Sequence, residues 1–159
     1  MSNERGNVWL AVGGLVMQDG KVLVVKKTYG PTKGLWTLPM GFVNADETVD
    51  MAIVREVKEE TGLDAKAESI LALRTGVLRK GVSDNLLIMR LAYVGGEVER
   101  CEREIETIGW LTPDELIDST ETVEFLQTLM REVKGKEGLG EQNLTLNRDY
   151  GYSIFKMFV

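Results

Sequence analysis

The segment that most limits the fold runs from Thr48 to Thr61. It contains neither Pro nor Gly, and Gly62 ends it with a residue that tolerates left-handed backbone. A helix of about four turns is expected there. At about 100° per residue, Val49, Ile53 and Val57 share one arc, and Glu56 and Glu60 fall on or beside it. Glu59 lies three residues from Glu56 and next to Glu60, so the three head groups are able to converge. Carboxylates at a core boundary lose hydration and repel one another, so positive charge is required among them. Arg55 stands four residues before Glu59, and Glu47 lies just ahead of the helix, where an acid suits the positive dipole end. One guanidinium does not neutralise the set. A divalent cation does, because Mg²⁺ takes carboxylate oxygens and keeps open positions for water and substrate phosphates. The competing reading is a solvated helix face, "REVKEE", with Arg55 and Glu59 as an ordinary i,i+4 pair.

The flanking segments suggest an α/β chain. "VWLAVGGLVM" (8–17) and "KVLVVKK" (21–27) are apolar and β-branched around a "QDG" turn signal, which predicts a hairpin or two adjacent strands. "YGPTKGLW" reads as a loop, and "WTLPM" as a short strand leading into the helix. "SILALRTGVLR" (69–79) and "NLLIMRLAYV" (85–94) read as the arms of a long hairpin. A further apolar stretch ends at "IGWLTPDELI", with a helix starting near Pro113, and 120–133 is expected to form a final amphipathic helix. Residues 134–142, "KGKEGLGEQ", are polar and Gly-rich and predict a flexible connection to an apolar, aromatic C-terminal tail. That tail is free to cap the core, add a strand or meet a second subunit. The 159 residues are expected to form a single domain.

Composition narrows the chemistry. Histidine is absent, which removes the commonest general base and the commonest transition-metal ligand. With one Cys and 25 acidic residues, hard cations such as Mg²⁺, Mn²⁺ or Ca²⁺ are favoured over zinc. A net charge of −6 argues against a general basic surface, so long nucleic acid and anionic membrane are disfavoured partners. Cys101 has no internal disulfide partner, and the start "MSNERGNVWL" lacks the layout of a secretory signal. A cytoplasmic location is therefore the expectation. No apolar run approaches the roughly 20 residues that span a bilayer, and no membrane association is expected.

The spacing sharpens the reading of the glutamate helix. The residues run Gly41, five others, Glu47, seven others, Arg55, Glu56, Val57, Lys58, Glu59, Glu60, Thr61, Gly62, Leu63. This resembles the Nudix box, Gly-x5-Glu-x7-Arg-Glu-U-x-Glu-Glu-x-Gly-U with U a bulky aliphatic, at every specified position. With each residue type near ~7% usage, such a set of fixed letters arises by chance on the order of 10⁻⁸ times per start position. "GLWTLP" is similar to the strand that commonly precedes the box.

The resemblance implies an α/β/α sandwich with a mixed β-sheet, and metal-dependent hydrolysis of a nucleoside diphosphate linked to another moiety. Glu56, Glu59 and Glu60 would be metal ligands for Mg²⁺ or Mn²⁺, with a backbone carbonyl near Met40 or Gly41 beside them. Arg55 and Glu47 would orient the carboxylates, and Gly41 and Gly62 would allow tight turns. Glu56 or Glu59 is a candidate for the base that takes the water's proton. The family also draws its base from a loop outside the box, where Glu104 in "REIETIGWL" is the choice and a solvated acidic loop the alternative. Two positions depart from many members: Met40 stands where Gly-Gly is frequent, and Asp46 where Gly often precedes the first box Glu.

Substrate is less legible. Arg74, Arg79 and Lys80 are candidates to meet phosphates, and Trp36, Tyr29 or Tyr93 to stack on a base; ordinary surface or core roles compete for each. "PMGFVNADET" is similar to ADP-ribose and NADH pyrophosphatase branches, which suggests an ADP-ribose-like small nucleotide. The alternatives are a nucleoside triphosphate or RNA 5′-end pyrophosphohydrolase and a non-catalytic nucleotide sensor. An isoprenoid-diphosphate isomerase on the same fold would need a thiol and an acid, for which only Cys101 and Glu102 present themselves. Because family members often pair, a homodimer is also open.

Overall fold

The computed structural model describes residues 6–159. Residues 1–5, at the head of the stretch bearing on secretion, lie outside the described residues. The element order is β1 (Val8–Gln18), β2 (Lys21–Lys27), β3 (Trp36–Thr37), β4 (Met40–Phe42), α1 (Val49–Thr61), β5 (Leu63–Val77), β6 (Ser83–Gly96), β7 (Ile105–Leu111), α2 (Pro113–Asp118), α3 (Glu124–Glu132), β8 (Leu139–Gln142) and β9 (Met157–Phe158). Among the described residues no helix is long and apolar enough to cross a membrane.

The "QDG" signal closes the first hairpin. Asp19 and Gly20 both take positive φ, 51° and 74°, the backbone that a two-residue turn matched to strand twist requires. Beyond this turn β1 leaves β2 and forks. Ala11 to Gly13 pair antiparallel with β4, while the whole strand runs parallel to β6, from Val8 beside Ser83 to Met17 beside Ala92. The β5–β6 hairpin is the long antiparallel pair, and β7 returns antiparallel onto β2. The sheet is therefore mixed, as expected.

Side-chain alternation sends the two faces into two cores. Val12, Val16 and Leu23 pack with Ala52, Ile53 and Val57 of α1. Leu15, Val22 and Val24 pack with Leu116 of α2 and Leu126, Leu129 and Met130 of α3. Helices thus cover both faces, giving the α/β/α sandwich. Gly14 lets α1 approach β1: a Cβ there would meet Ile53 Cγ1 at 3.0 Å.

Four elements differ from the sequence expectation. "WTLPM" is two strands, because Pro39 has no N–H to give a ladder and its carbonyl instead accepts from Gly14 N–H at 3.0 Å. β5 begins at Leu63 rather than near residue 69, its early residues alternating buried Leu63 and Ala65 with exposed Asp64 and Lys66. The helix expected over 120–133 starts only at Glu124, because the preceding residues are drawn into extended bonds with Trp36: Trp36 N–H to the Glu121 carbonyl, 2.6 Å, and Val123 N–H to the Trp36 carbonyl, 3.1 Å. Finally, four of the nine residues of the expected flexible connection form a strand. Leu139–Gln142 form β8, which pairs with Ser69 and Ile70, and Ser69 Oγ donates to the Glu137 carbonyl at 2.6 Å. The tail then adds a strand: β9 pairs with β8, and Phe158 packs on the α1-side core.

Candidate active site

α1 is positioned by the close approach at Gly14 and ended by Gly62, whose φ is 77° and whose N–H donates to the Lys58 carbonyl. It therefore runs beside β4, the strand that carries Gly41. Glu56 lies against that strand so tightly that a Cβ on residue 41 would fall 2.1 Å from its carboxyl carbon. Glycine at 41 makes the cradle in which this carboxylate rests.

Arg55 organises the outer carboxylates. Its Nε donates to Glu47 Oε2 at 2.9 Å and its Nη2 to Glu47 Oε1 at 2.6 Å, a two-pronged fork. Nη1 reaches Glu56 Oε1 at 2.7 Å and Glu59 Oε2 at 3.1 Å, and Nη2 also reaches the Phe42 carbonyl at 3.0 Å. Glu47 additionally accepts from Asn44 N–H at 2.9 Å. The hydrogen bond from Arg55 holds Glu47 below the usual carboxylate range, and its bond to Glu47 raises the guanidinium in turn. Burial pushes Glu56 up, against the opposing pull of Arg55.

Glu60 takes a different partner. Its side chain is 1% exposed and pairs with Lys27, itself 8% exposed, whose Nζ also donates to the Met40 carbonyl at 3.1 Å. Met40 N–H donates to the other Glu60 oxygen at 3.3 Å. Burial lifts Glu60 to about 7 even with the lysine beside it.

The three box glutamates consequently do not converge as the helix wheel allowed. Arg55 gathers Glu47, Glu56 and Glu59, while Glu60 turns inward to Lys27. Among the described residues no three carboxylates stand grouped as a ready-made cation site. The physical reason is burial: a carboxylate this deep takes the nearest ammonium.

The remaining candidates divide by location. The acidic loop ahead of β7 packs at the C-terminal end of α1, where Glu99 N–H donates to the Thr61 carbonyl at 2.8 Å. Glu104 belongs to this loop; its carbonyl accepts from Thr28 N–H at 2.9 Å, one residue from Lys27, and its carboxylate lies 3.5 Å from Arg103. Trp36 packs against Gly109 and under Lys26, whose Nζ is 4.8 Å from the ring centroid. Arg74 pairs with Asp84 at 2.7 Å and lies over the Phe125 ring, and Arg79 is exposed in the β5–β6 turn. Tertiary structure thus gathers Glu47, Glu56 and Glu59 on Arg55 beside Gly41, and sets Glu60 apart on Lys27. The contacts of Trp36 and Arg74 lie elsewhere.

The NUDIX domain family model matches residues 8–133, a span that includes both the carboxylate helix and the sheet that carries it. The chain belongs to the NUDIX domain family. An ADP-ribose pyrophosphatase from Methanocaldococcus jannaschii is 40% identical over 91 residues, 57% of this chain. The matched stretch is 54% of that relative's own length. A NUDIX hydrolase from Nitrosomonas europaea superposes with a TM-score of 0.71 at 19% identity, over 82% of this chain and 90% of that one. An ADP-ribose pyrophosphatase from Streptococcus suis does so with a TM-score of 0.59 at 26% identity, over 81% and 93%.

Within this cluster, Lys27 is the residue that sequence reasoning passed over. The signal was present: Leu23, Val25 and Lys27 alternate onto one face of β2, and Leu23 belongs to the α1-side core, so the lysine continues a buried row. The donor set fits a hard divalent cation. Four carboxylates, Glu47, Glu56, Glu59 and Glu60, face two cations, Arg55 and Lys27, which leaves a formal charge of −4 + 2 = −2, and every donor is oxygen.

Proposed function

We propose that this Nudix chain hydrolyses a pyrophosphate bond in a nucleoside diphosphate linked to another moiety, with an ADP-ribose-like molecule as substrate and Mg²⁺ or Mn²⁺ as cofactor. The observation that carries the reading is the seating of Glu56 on the Gly41 backbone, tied through Arg55 to Glu47 and Glu59. The names borne by the Methanocaldococcus and Streptococcus relatives support the substrate class.

Glu56, Glu59 and Glu60, with the backbone carbonyl at Gly41, would hold the cation. When bound, the cation would supply positive charge for the phosphate oxygens and a more acidic water. The chain's own residues supply order. Arg55 keeps Glu56 and Glu59 in register with the strand, and Glu47 fixes Arg55 through both fork positions. The water's proton goes to a carboxylate. We assign this role to Glu104, whose loop packs at the foot of α1, with Glu56 or Glu59 as the alternative.

The test is release of phosphate-containing products from ADP-ribose, NADH, dNTPs and triphosphorylated RNA, each with Mg²⁺ or Mn²⁺. Metal-dependent cleavage of ADP-ribose or NADH, lost in Glu59→Gln and Glu60→Gln, supports the assignment. Preferential release of pyrophosphate from a triphosphate moves the substrate to the nucleoside triphosphate or RNA-end class. Tight nucleotide binding without turnover on any of the four makes the chain a sensor.

A further inference from the structure

We propose that Lys27 is an internal stand-in for the catalytic cation: its ammonium holds Glu60 and the Met40 carbonyl until the metal loads, and metal affinity is set by competition with it. The inference rests on the metal-dependent reading above and deepens it by naming the residue that tunes the metal.

Three observations converge on Lys27. First, its Nζ touches a box carboxylate and the backbone carbonyl beside Gly41, the same kinds of oxygen that a divalent cation takes. Second, Arg55, the other cation of this cluster, is committed elsewhere among the described residues. Nε, Nη1 and Nη2 of Arg55 are all engaged, by Glu47, Glu56, Glu59 and the Phe42 carbonyl, so the guanidinium has no fork left to offer. Third, both members of the pair are nearly inaccessible, so water does not replace the ammonium as it would at a surface. A buried carboxylate that is ionised and has no cation is strongly disfavoured, so the ionised, metal-free site needs an occupant.

Lysine suits that duty better than arginine. It carries a compact charge on a flexible four-carbon stem, so it can withdraw when a stronger cation arrives, whereas a planar fork would bind its carboxylate more rigidly. Lys27 sits at the end of β2, immediately before the turn-rich "TYGPTKG" segment, where the strand gives way to loop.

The two charges compete, so removing the lysine should tighten metal binding. A merely structural lysine would do the opposite, since its loss would loosen α1 against β4 and weaken the site. We would measure Mn²⁺ affinity by calorimetry and by the free-Mn²⁺ paramagnetic signal, using the full chain at mildly alkaline pH, where proton competition for Glu60 is weakest. The expected result is at least about tenfold tighter Mn²⁺ binding in Lys27→Met, equivalent to about 1.4 kcal/mol, with a larger metal-induced rise in Tm than in the wild type. Lys27→Arg should bind Mn²⁺ no more tightly than wild type. If Lys27→Met does not fold without metal, Lys27→Gln carries the same expectation. Unchanged or weaker Mn²⁺ binding in a folded Lys27→Met or Lys27→Gln protein overturns the proposal while leaving the metal-dependent reading intact. A wild-type chain that binds no Mn²⁺ overturns both.

Discussion

Gly41 and Glu56 occupy one space: a methyl group on residue 41 would lie 2.1 Å from the Glu56 carboxyl carbon and 2.2 Å from its Oε1. Each dictates the other. The strand must be bare at that point for the carboxylate to rest against it while tied to Arg55 at 2.7 Å.

Gly41→Ala should therefore leave the fold largely intact, because the displaced atoms are the end of a flexible side chain, yet misplace Glu56. A fall in kcat of roughly 10–100-fold is expected, the usual cost of disturbing a ligand's supports. Steady-state kinetics beside an unchanged circular dichroism spectrum would check it.

Arg55→Lys keeps the charge and loses the fork. An ammonium cannot hold both Glu47 oxygens while reaching Glu56 and Glu59. Metal affinity or kcat should drop roughly 10–100-fold, and a lysine variant that works as well as arginine would remove Arg55 from the orienting role.

Stability of the metal-free protein should depend on pH with a sign set by Glu60. Its carboxyl is raised from 4.5 to about 7 in the folded state, so the folded protein holds a proton that the unfolded chain has released. The associated stability is fully present below about 4.5 and is lost as pH rises through about 7. Glu47 acts in the opposite direction: its lowered value gives stability above the unfolded carboxylate range that is lost as pH falls through the folded one. Urea unfolding across this window should show stability declining from pH 5 to 8, and Glu60→Gln should flatten the slope.

Glu104→Gln should depress turnover while leaving Mn²⁺ affinity within about twofold of wild type, since Glu104 stands outside the helix carboxylates. Turnover equal to wild type would return the proton-accepting role to Glu56 or Glu59.

The tail is tied to the entry of α1. Lys156 pairs with Asp50, whose carboxyl is lowered because hydrogen bonds from Lys156 and Thr48 outweigh the burial that opposes them. Asp50→Asn should cost about 1 kcal/mol and hasten proteolysis after Gln142. A protease pattern like that of the wild type would show that β9 pairing alone holds the tail.

What the sequence by itself determined is local. The helical spacing of Val49, Ile53 and Val57, the absence of Pro and Gly, and Gly62 specify α1 because they act through backbone geometry within a few residues; "QDG" specifies its hairpin for the same reason. The order of Gly41, Glu47, Arg55, Glu56, Glu59 and Glu60 identified the carboxylate site because those residues sit on one strand, one turn and one helix that follow each other directly. Tertiary structure decided the rest. It split "WTLPM" at Pro39, shortened the last helix from its N-terminal side by bonding 121–123 to Trp36, and ordered 139–142 by offering the edge of β5. It also decided which charge each glutamate meets. Glu60 meets Lys27, thirty-three positions away, and that pairing depends on the distance between β2 and α1 across a packed core, which no spacing within either segment encodes.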